Sequence, residues 1–361
     1  NYTKRKRKML MFGSNNYLGL ANHPYVRKKV VEAIDQYGVG VGGPPLLNGY
    51  SKLVAELEER LSDLKGTEDT MIFSSGYCAN LGMVIGLFNE QDHVYFDEKN
   101  HASFFDGLRM VQSDKIKFRH NDIQELDNLL TETAALSSGE KFIMVEGVYS
   151  MTGDLSPLDD LVKVRKKHHC ILMVDDAHGT GIIGKNGSGT PEYFDIEKEI
   201  DVVMGTFSKT FSVTGGFISS TKPIISYLRY FARPYMFSAS LTPITLSAVL
   251  AGLDIIKNEP DRRMALHDNV KYAFERLRPY GVVHKPSAGI LALSVPKSMN
   301  IRQAAFHFHK SGLFINAIEY PAVPIDNQIF RLSFMATHSK NDINKLVDCV
   351  EEVWSMFNIN T

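Results

Sequence analysis

Short, continuously apolar runs alternate with stretches of helical periodicity through the first two thirds of the chain. The apolar runs predict strands at Thr70–Ser74, His93–Asp97, Ile116–Arg119, Phe142–Gly147, Ile171–Asp175, Val202–Thr206 and Gly216–Ser220. Runs such as Ile171-Leu172-Met173-Val174 lack the polar alternation of a half-exposed strand, which suits strands covered on both faces. Between most of them, apolar positions recur every three or four residues. These predict helices at Cys78–Phe88, Ala102–Gln112, Ile123–Thr131 and Leu158–His168, with another at Ile224–Phe231 after the last strand. Such alternation implies an α/β domain built on a mainly parallel, seven-stranded sheet.

The texture changes after about Pro243. Leu246–Ile256 and Arg262–Leu277 read as long amphipathic helices. Strands at Leu291–Ser294 and Phe330–Phe334 enclose a helix at Ile301–Lys310, and Asn341–Phe357 closes as a helix with Ser339 and Asp342 spaced as a capping pair. The expected organisation is therefore a large domain over 46–243 and a smaller α+β C-terminal domain over 244–361. Residues 1–45 read as an N-terminal arm ending in a glycine- and proline-rich loop from Gly38 to Pro45.

Composition changes this picture little. The 361 residues are 44% hydrophobic and 22% charged, enough for a large core and unlike a disordered or fibrous chain. Lys and Arg number 40 against 41 Asp and Glu, a formal charge of −1, so no nucleic-acid partner is expected. No apolar run reaches 18 residues, which leaves peripheral membrane contact at most. The basic run Lys4-Arg5-Lys6-Arg7-Lys8 reads as a solvated arm. Three separated cysteines, odd in number, point away from a disulfide framework; with no visible secretory signal, a cytoplasmic setting is expected.

In a doubly wound sheet, ligands meet the carboxyl ends of the strands, so polar residues there are the candidates for chemistry. Ser75, Gly76 and Tyr77 follow a strand and open a helix, where small residues and free N–H groups favour an anion; alone, this is also an ordinary strand-to-helix turn. Asp175 ends the most apolar strand, where a buried carboxylate calls for a cation. A protonated pyridine nitrogen would supply one, a capping role is the plainer alternative, and a metal lacks further ligands at suitable spacing. Lys209, after the strand ending at Thr206, is a candidate amine nucleophile or a solvated surface lysine. His101, where another strand meets a helix, could lie against a flat ring or be a structural histidine. Together these four are what pyridoxal 5′-phosphate (PLP) requires, and the combination is far more specific than any member.

At this point the sequence resembles the α-oxoamine synthases, a branch of the fold-type I PLP-dependent transferases. The resemblance runs in order over nearly the whole chain. It rests on Asn15-Asn16-Tyr17-Leu18-Gly19-Leu20, Ser75-Gly76-Tyr77 with Ala79-Asn80, Asn100-His101-Ala102-Ser103 and Glu146 through Asp154. It continues through Val174-Asp175-Asp176-Ala177-His178-Gly179 and Thr206-Phe207-Ser208-Lys209 to Arg331 ahead of Ala336-Thr337-His338. It implies that Lys209 carries PLP and moves the substrate proton, that Asp175 pairs with the pyridine nitrogen, and that His178 and Ser150 reach the ring hydroxyl. His101 would cover the ring. Ser75, Gly76, Tyr77 and Thr206 would form the phosphate cradle, and Ser238 and Ser240 would serve the neighbouring subunit of a homodimer with shared active sites. Asn15 and Arg331 would hold the amino-acid carboxylate. No metal is expected.

The reaction implied joins an amino acid to an acyl thioester with loss of carbon dioxide. Met236–Pro243, Ile255–Pro260, Pro321–Pro324 and Arg331–His338 look most like the bacterial serine palmitoyltransferases, which favours serine and acyl-CoA. Two departures touch specificity: Val54 stands where much of the family has a histidine, and Pro44-Pro45 where many members carry Ser-Arg. They leave open glycine- or alanine-using branches of the family and a carrier-protein thioester. An aminotransferase would need a second half-reaction with a keto acid, to which nothing points. A silent partner subunit would lack the lysine that Lys209 supplies.

Overall fold

The computed structural model describes residues 8–133 and 139–359; apart from Lys8, the basic run lies outside the described residues. In chain order the strands are β1 (Leu10–Met11), β2 (Asp69–Phe73), β3 (His93–Asp97), β4 (Asp114–Phe118), β5 (Lys141–Glu146), β6 (Ile171–Asp175), β7 (Val202–Thr206), β8 (Gly216–Ser220), β9 (Ile290–Ser294), β10 (Leu313–Phe314), β11 (Asn316–Ile318) and β12 (Ile329–Ser333).

β2 to β8 form one seven-stranded sheet in the order β2-β8-β7-β6-β5-β3-β4. β8 runs antiparallel to both of its neighbours, and the other pairings are parallel. Both faces are covered. Within β3, Val94 and Phe96 join one apolar cluster with Met83, Val84 and Phe104, whereas Tyr95 joins the opposite cluster with Leu126, Leu161 and Val174. Burial on both sides is why the inner strands read as apolar runs, whereas the edge strand β4 is largely exposed.

The chain divides into two units. One comprises Leu20–Tyr149 and Leu155–Pro260; the other comprises Asn1–Gly19, Ser150–Asp154 and Asp261–Thr361. These divisions differ from those expected at 45/46 and 243/244, and the cause is local. The helix Pro24–Tyr37 packs along the helix Pro243–Asn258, with Tyr25 Oη donating to Asp254 Oδ2 at 2.7 Å and Ser247 Oγ to the Lys29 carbonyl at 2.9 Å. Segments assigned to an arm and to the C-terminal domain thus belong to the larger unit. The expected helix Ala102–Gln112 stops at Leu108, where Met110 N–H donates to the Gly107 carbonyl and tightens the last turn.

The smaller unit holds the antiparallel sheet β11-β12-β9 and the parallel pair β1-β10. Its helices span Asp261–Leu277, Ile301–Lys310 and Lys340–Met356. The last begins with the expected pair as a reciprocal capping box: Ser339 Oγ accepts from Asp342 N–H, and Asp342 accepts from Ser339 N–H. Among the described residues, no helix is long and apolar enough to cross a membrane.

Candidate active site

The large unit gathers its candidate residues at the carboxyl ends of β6 and β7 and at two helix starts. After β2 the chain turns into the helix Gly76–Leu87, two residues earlier than its apolar pattern indicates. Ser75 is the N-cap: its Oγ accepts from Cys78 N–H at 3.0 Å, leaving the first-turn amides of Gly76 and Tyr77 without intrahelical acceptors. A Cβ on Gly76 would lie 2.8 Å from both Cβ and Oγ1 of Thr206. The helix start therefore meets the end of β7 through bare backbone. Thr206 is itself fixed, with Oγ1 donating to the Gly215 carbonyl at 2.9 Å.

Asp175 ends β6 and is buried. Its Oδ2 accepts from Asn80 Nδ2 at 2.7 Å and its Oδ1 from Ala177 N–H at 3.1 Å, so the carboxylate is aimed by two separate elements. Asn80 also donates to Ser103 Oγ at 2.9 Å, and Ser103 Oγ lies 2.7 Å from His101 Nδ1. A chain of contacts thus runs from the carboxylate to the imidazole that caps the helix Ala102–Leu108. His178 is buried on the turn after β6.

Lys209 lies in the connection between β7 and β8, a turn held by Ser212 N–H donating to the Lys209 carbonyl at 3.0 Å. One cavity of about 280 Å³ is lined by Ser75, Gly76, Tyr77, His101, Asp175, His178, Thr206 and Lys209. Eight of the residues singled out from the sequence are therefore brought together. Asn80, Ser103 and Glu146 line the same cavity; the sequence placed them within the matched motifs but gave them no role in the site.

Ser238 and Ser240 are not in that cavity. They line a separate small pocket with Pro45, Val54 and Tyr235. Ser240 Oγ is buried with no hydrogen-bond partner among the described residues.

In the smaller unit Arg331 is buried on β12 and held on three sides. Its Nε donates to the Ser150 carbonyl at 2.6 Å, and its Nη1 to Asn15 Oδ1 at 3.1 Å and to Ser333 Oγ at 2.9 Å. Ser333 Oγ in turn donates to Asn15 Oδ1 at 3.0 Å. Burial pushes the neighbouring Tyr17 phenol up to about 12, against the pull of the Arg331 charge. Asn15, Arg331 and Ser150 are thus brought together, Ser150 through its backbone. Ser333 was missed, although its place two residues after Arg331 puts both on one face of the strand.

A lysine amine, a buried carboxylate, an exposed helix start and an imidazole in one cavity suit PLP: an aldehyde-reactive amine, a partner for a ring nitrogen, N–H donors for phosphate and a group to cover a ring. The fold and this site define a fold-type I PLP-dependent transferase.

The comparisons narrow that class. The family profile of class I and II aminotransferases covers residues 7–350. An 8-amino-7-oxononanoate synthase of Lysinibacillus sphaericus is 37% identical over 348 residues, 96% of this chain and 89% of that protein. A serine palmitoyltransferase of Bacteriovorax stolpii is 36% identical over 358 residues, 99% of this chain and 85% of that protein. The solved structure of a serine palmitoyltransferase from S. paucimobilis, with PLP bound, superposes with a TM-score of 0.92 at 31% identity, covering 98% of this chain and 89% of that one. The chain belongs to the class I and II aminotransferase family and, within it, to the α-oxoamine synthases. It is a PLP-dependent acyl-transferring enzyme.

Proposed function

We propose that this enzyme condenses L-serine with a fatty acyl-CoA, releasing carbon dioxide and coenzyme A and leaving an α-amino ketone. The observation that carries the reading is the single cavity in which Lys209, Asp175, the Gly76 helix start and His101 converge. When bound, PLP supplies an electron sink for the charge left on the amino acid as its Cα proton departs. Lys209 Nζ takes that proton and returns one after the new C–C bond has formed and the carboxyl carbon has left. Asp175, aimed by Asn80 and Ala177 N–H, would hold the proton on the ring nitrogen. The amides of Gly76 and Tyr77, with Ser75 and Thr206, would hold the phosphate. His101 would cover the ring, while His178 and Ser150 would serve the ring hydroxyl.

Arg331 and Asn15 hold the substrate carboxylate. A guanidinium suits that task because its planar fork matches two oxygens, and this one is already oriented by its own neighbours. Ser238 and Ser240 complete the phosphate site of a second subunit. Support for that role is their position away from their own chain's cavity and the unpartnered Ser240 Oγ. Serine is favoured over alanine or glycine by the Arg331–His338 and Pro321–Pro324 segments and by the likeness to serine palmitoyltransferases. The three cysteines are free, in keeping with a cytoplasmic enzyme.

The test is an absorbance screen of the holoenzyme with serine, glycine and alanine, followed by thiol release from acyl-CoAs of increasing length. Serine is expected to shift the cofactor band and to support thiol release with long chains. No spectral response to serine, with turnover of alanine instead, would overturn the serine assignment.

A further inference from the structure

Lys65 is the last residue of the helix Lys52–Lys65, a position where a cation ordinarily points to solvent and faces the helix dipole. Here its side chain is 1% exposed, and it meets Asp176, whose side chain is 0% exposed. Lys65 Nζ donates to Asp176 Oδ2 at 2.8 Å, to Thr180 Oγ1 at 2.9 Å and to the Ser188 carbonyl. The other carboxylate oxygen of Asp176 accepts from Thr190 N–H at 3.1 Å and from the Thr190 hydroxyl. The Phe217 ring lies 5.8 Å from the ammonium. Three glycines admit the pair: a Cβ on Gly147, Gly179 or Gly189 would come within 2.9, 2.1 or 1.7 Å of an Asp176 oxygen.

Asp176 directly follows Asp175, so the chain buries two carboxylates in succession. Asp175 faces the cavity with Lys209, His101, His178 and Glu146, whereas Asp176 faces Lys65. Two buried carboxylates side by side are costly unless a counter-ion meets at least one of them, and Lys65 meets Asp176. The same turn is folded about Asp176, whose carbonyl accepts from Gly179 N–H at 3.2 Å and Thr180 N–H at 3.0 Å.

We propose that Lys65 is a positioning residue for the cofactor: by neutralising Asp176 it leaves Asp175 as the carboxylate offered to the pyridine nitrogen and holds the turn that carries Asp175 and His178. The inference rests on the PLP role given to Asp175 above. Lys65 itself does not line the cavity.

The test measures PLP dissociation constants by fluorescence on apoenzymes verified as folded by circular dichroism. The set is wild type, Asp175→Asn, Lys65→Met and the double variant Lys65→Met/Asp176→Asn. Lys65→Met is expected to weaken PLP binding at least tenfold. The double variant, which buries no unpaired charge, is expected to return to within threefold of wild type. A role in shape alone would not be relieved by the second substitution. If Lys65→Met fails to fold, a folded double variant with near-native affinity carries the proposal. Native affinity in folded Lys65→Met overturns it, as does a double variant that is unfolded or as weak as Lys65→Met. Asp175→Asn separates the two readings. Should it bind PLP like wild type, the assignment of Asp175 fails; should it weaken binding while Lys65→Met does not, this inference alone fails.

Discussion

Gly76→Ala probes the point where the helix start meets the sheet. The new methyl would sit 2.8 Å from Thr206 Cβ and Oγ1, against the roughly 3.5–4.0 Å at which carbon contacts are favourable. Thr206 cannot swing aside, because its hydroxyl is bonded to the Gly215 carbonyl. On its other side the helix start already lies close to β8, where a Cβ at Gly216 would come within 2.7 Å of Gly76 N and Cα. The helix start must therefore retreat by about 1 Å, a forced shift that costs about 1–3 kcal/mol of stability by overpacking. The Gly76 and Tyr77 amides move with it. Losing one charge-assisted hydrogen bond to phosphate forfeits about 1.5–3 kcal/mol, or roughly 10- to 150-fold in PLP affinity. Fluorescence titration of the apoenzyme with PLP, alongside thermal melting, measures both effects. A variant that binds PLP within threefold of wild type and melts at the same temperature would refute the reasoning.

Three further outcomes are expected. Lys209→Ala should fold yet lose the visible absorbance of the lysine-bound cofactor and all turnover, as a spectrum and a thiol-release assay would show; turnover at the wild-type rate would remove Lys209 from the mechanism. Arg331→Met should raise the KM for the amino acid about 100-fold, the worth of one to two charge-assisted hydrogen bonds, and leave PLP binding within threefold; steady-state kinetics at saturating acyl-CoA would show it. Burial holds the His338 imidazole below its usual 6.5, against the Met11 carbonyl that Nε2 meets at 3.0 Å, while Nδ1 accepts from Met335 N–H. The unfolded chain then takes up this proton more readily than the folded one. The contribution to stability is full above about pH 6.5 and is lost as pH falls through the folded value, at no more than about 1.4 kcal/mol per pH unit. Denaturant midpoints between pH 7.5 and 5.0 should fall less steeply in His338→Gln than in wild type; identical slopes would disprove the assignment.

The large sheet was legible because its inner strands are covered on both faces and carry apolar runs; the edge strand β4, Asp-Lys-Ile-Lys-Phe, is largely exposed. The helix Pro24–Tyr37 was not, because only Val26 and Ala33 are buried along its 14 residues and no stripe stands out. Residues at strand ends could be nominated one by one, since the topology of such sheets sends chemistry there. Asn80 could not: an asparagine inside a helix has no periodic signal, and the carboxylate it aims lies 95 positions away. Lys65 was hidden for a different reason. A lysine followed by a glycine is how many helices end, and only the folded chain shows that this one turns inward. The packing of Pro24–Tyr37 along Pro243–Asn258, which sets the division into units apart from the one expected, leaves no mark in composition.

The antiparallel strand β8 also bears on the order in which the site assembles. β7 and β8 pair through a hairpin, with Thr206 opposite Gly216, so the Lys209 turn closes from contacts only a few residues apart. β2 reaches the sheet only by pairing with β8, Asp69 opposite Ser220, a closure across about 150 residues. Contacts between distant segments form slowly because the intervening chain must first be ordered. During refolding, the lysine turn should therefore exist before the helix start that follows β2 is docked beside it. Affinity for phosphate would then be among the last properties the large unit acquires, and capture of PLP would report on completed topology rather than on early collapse.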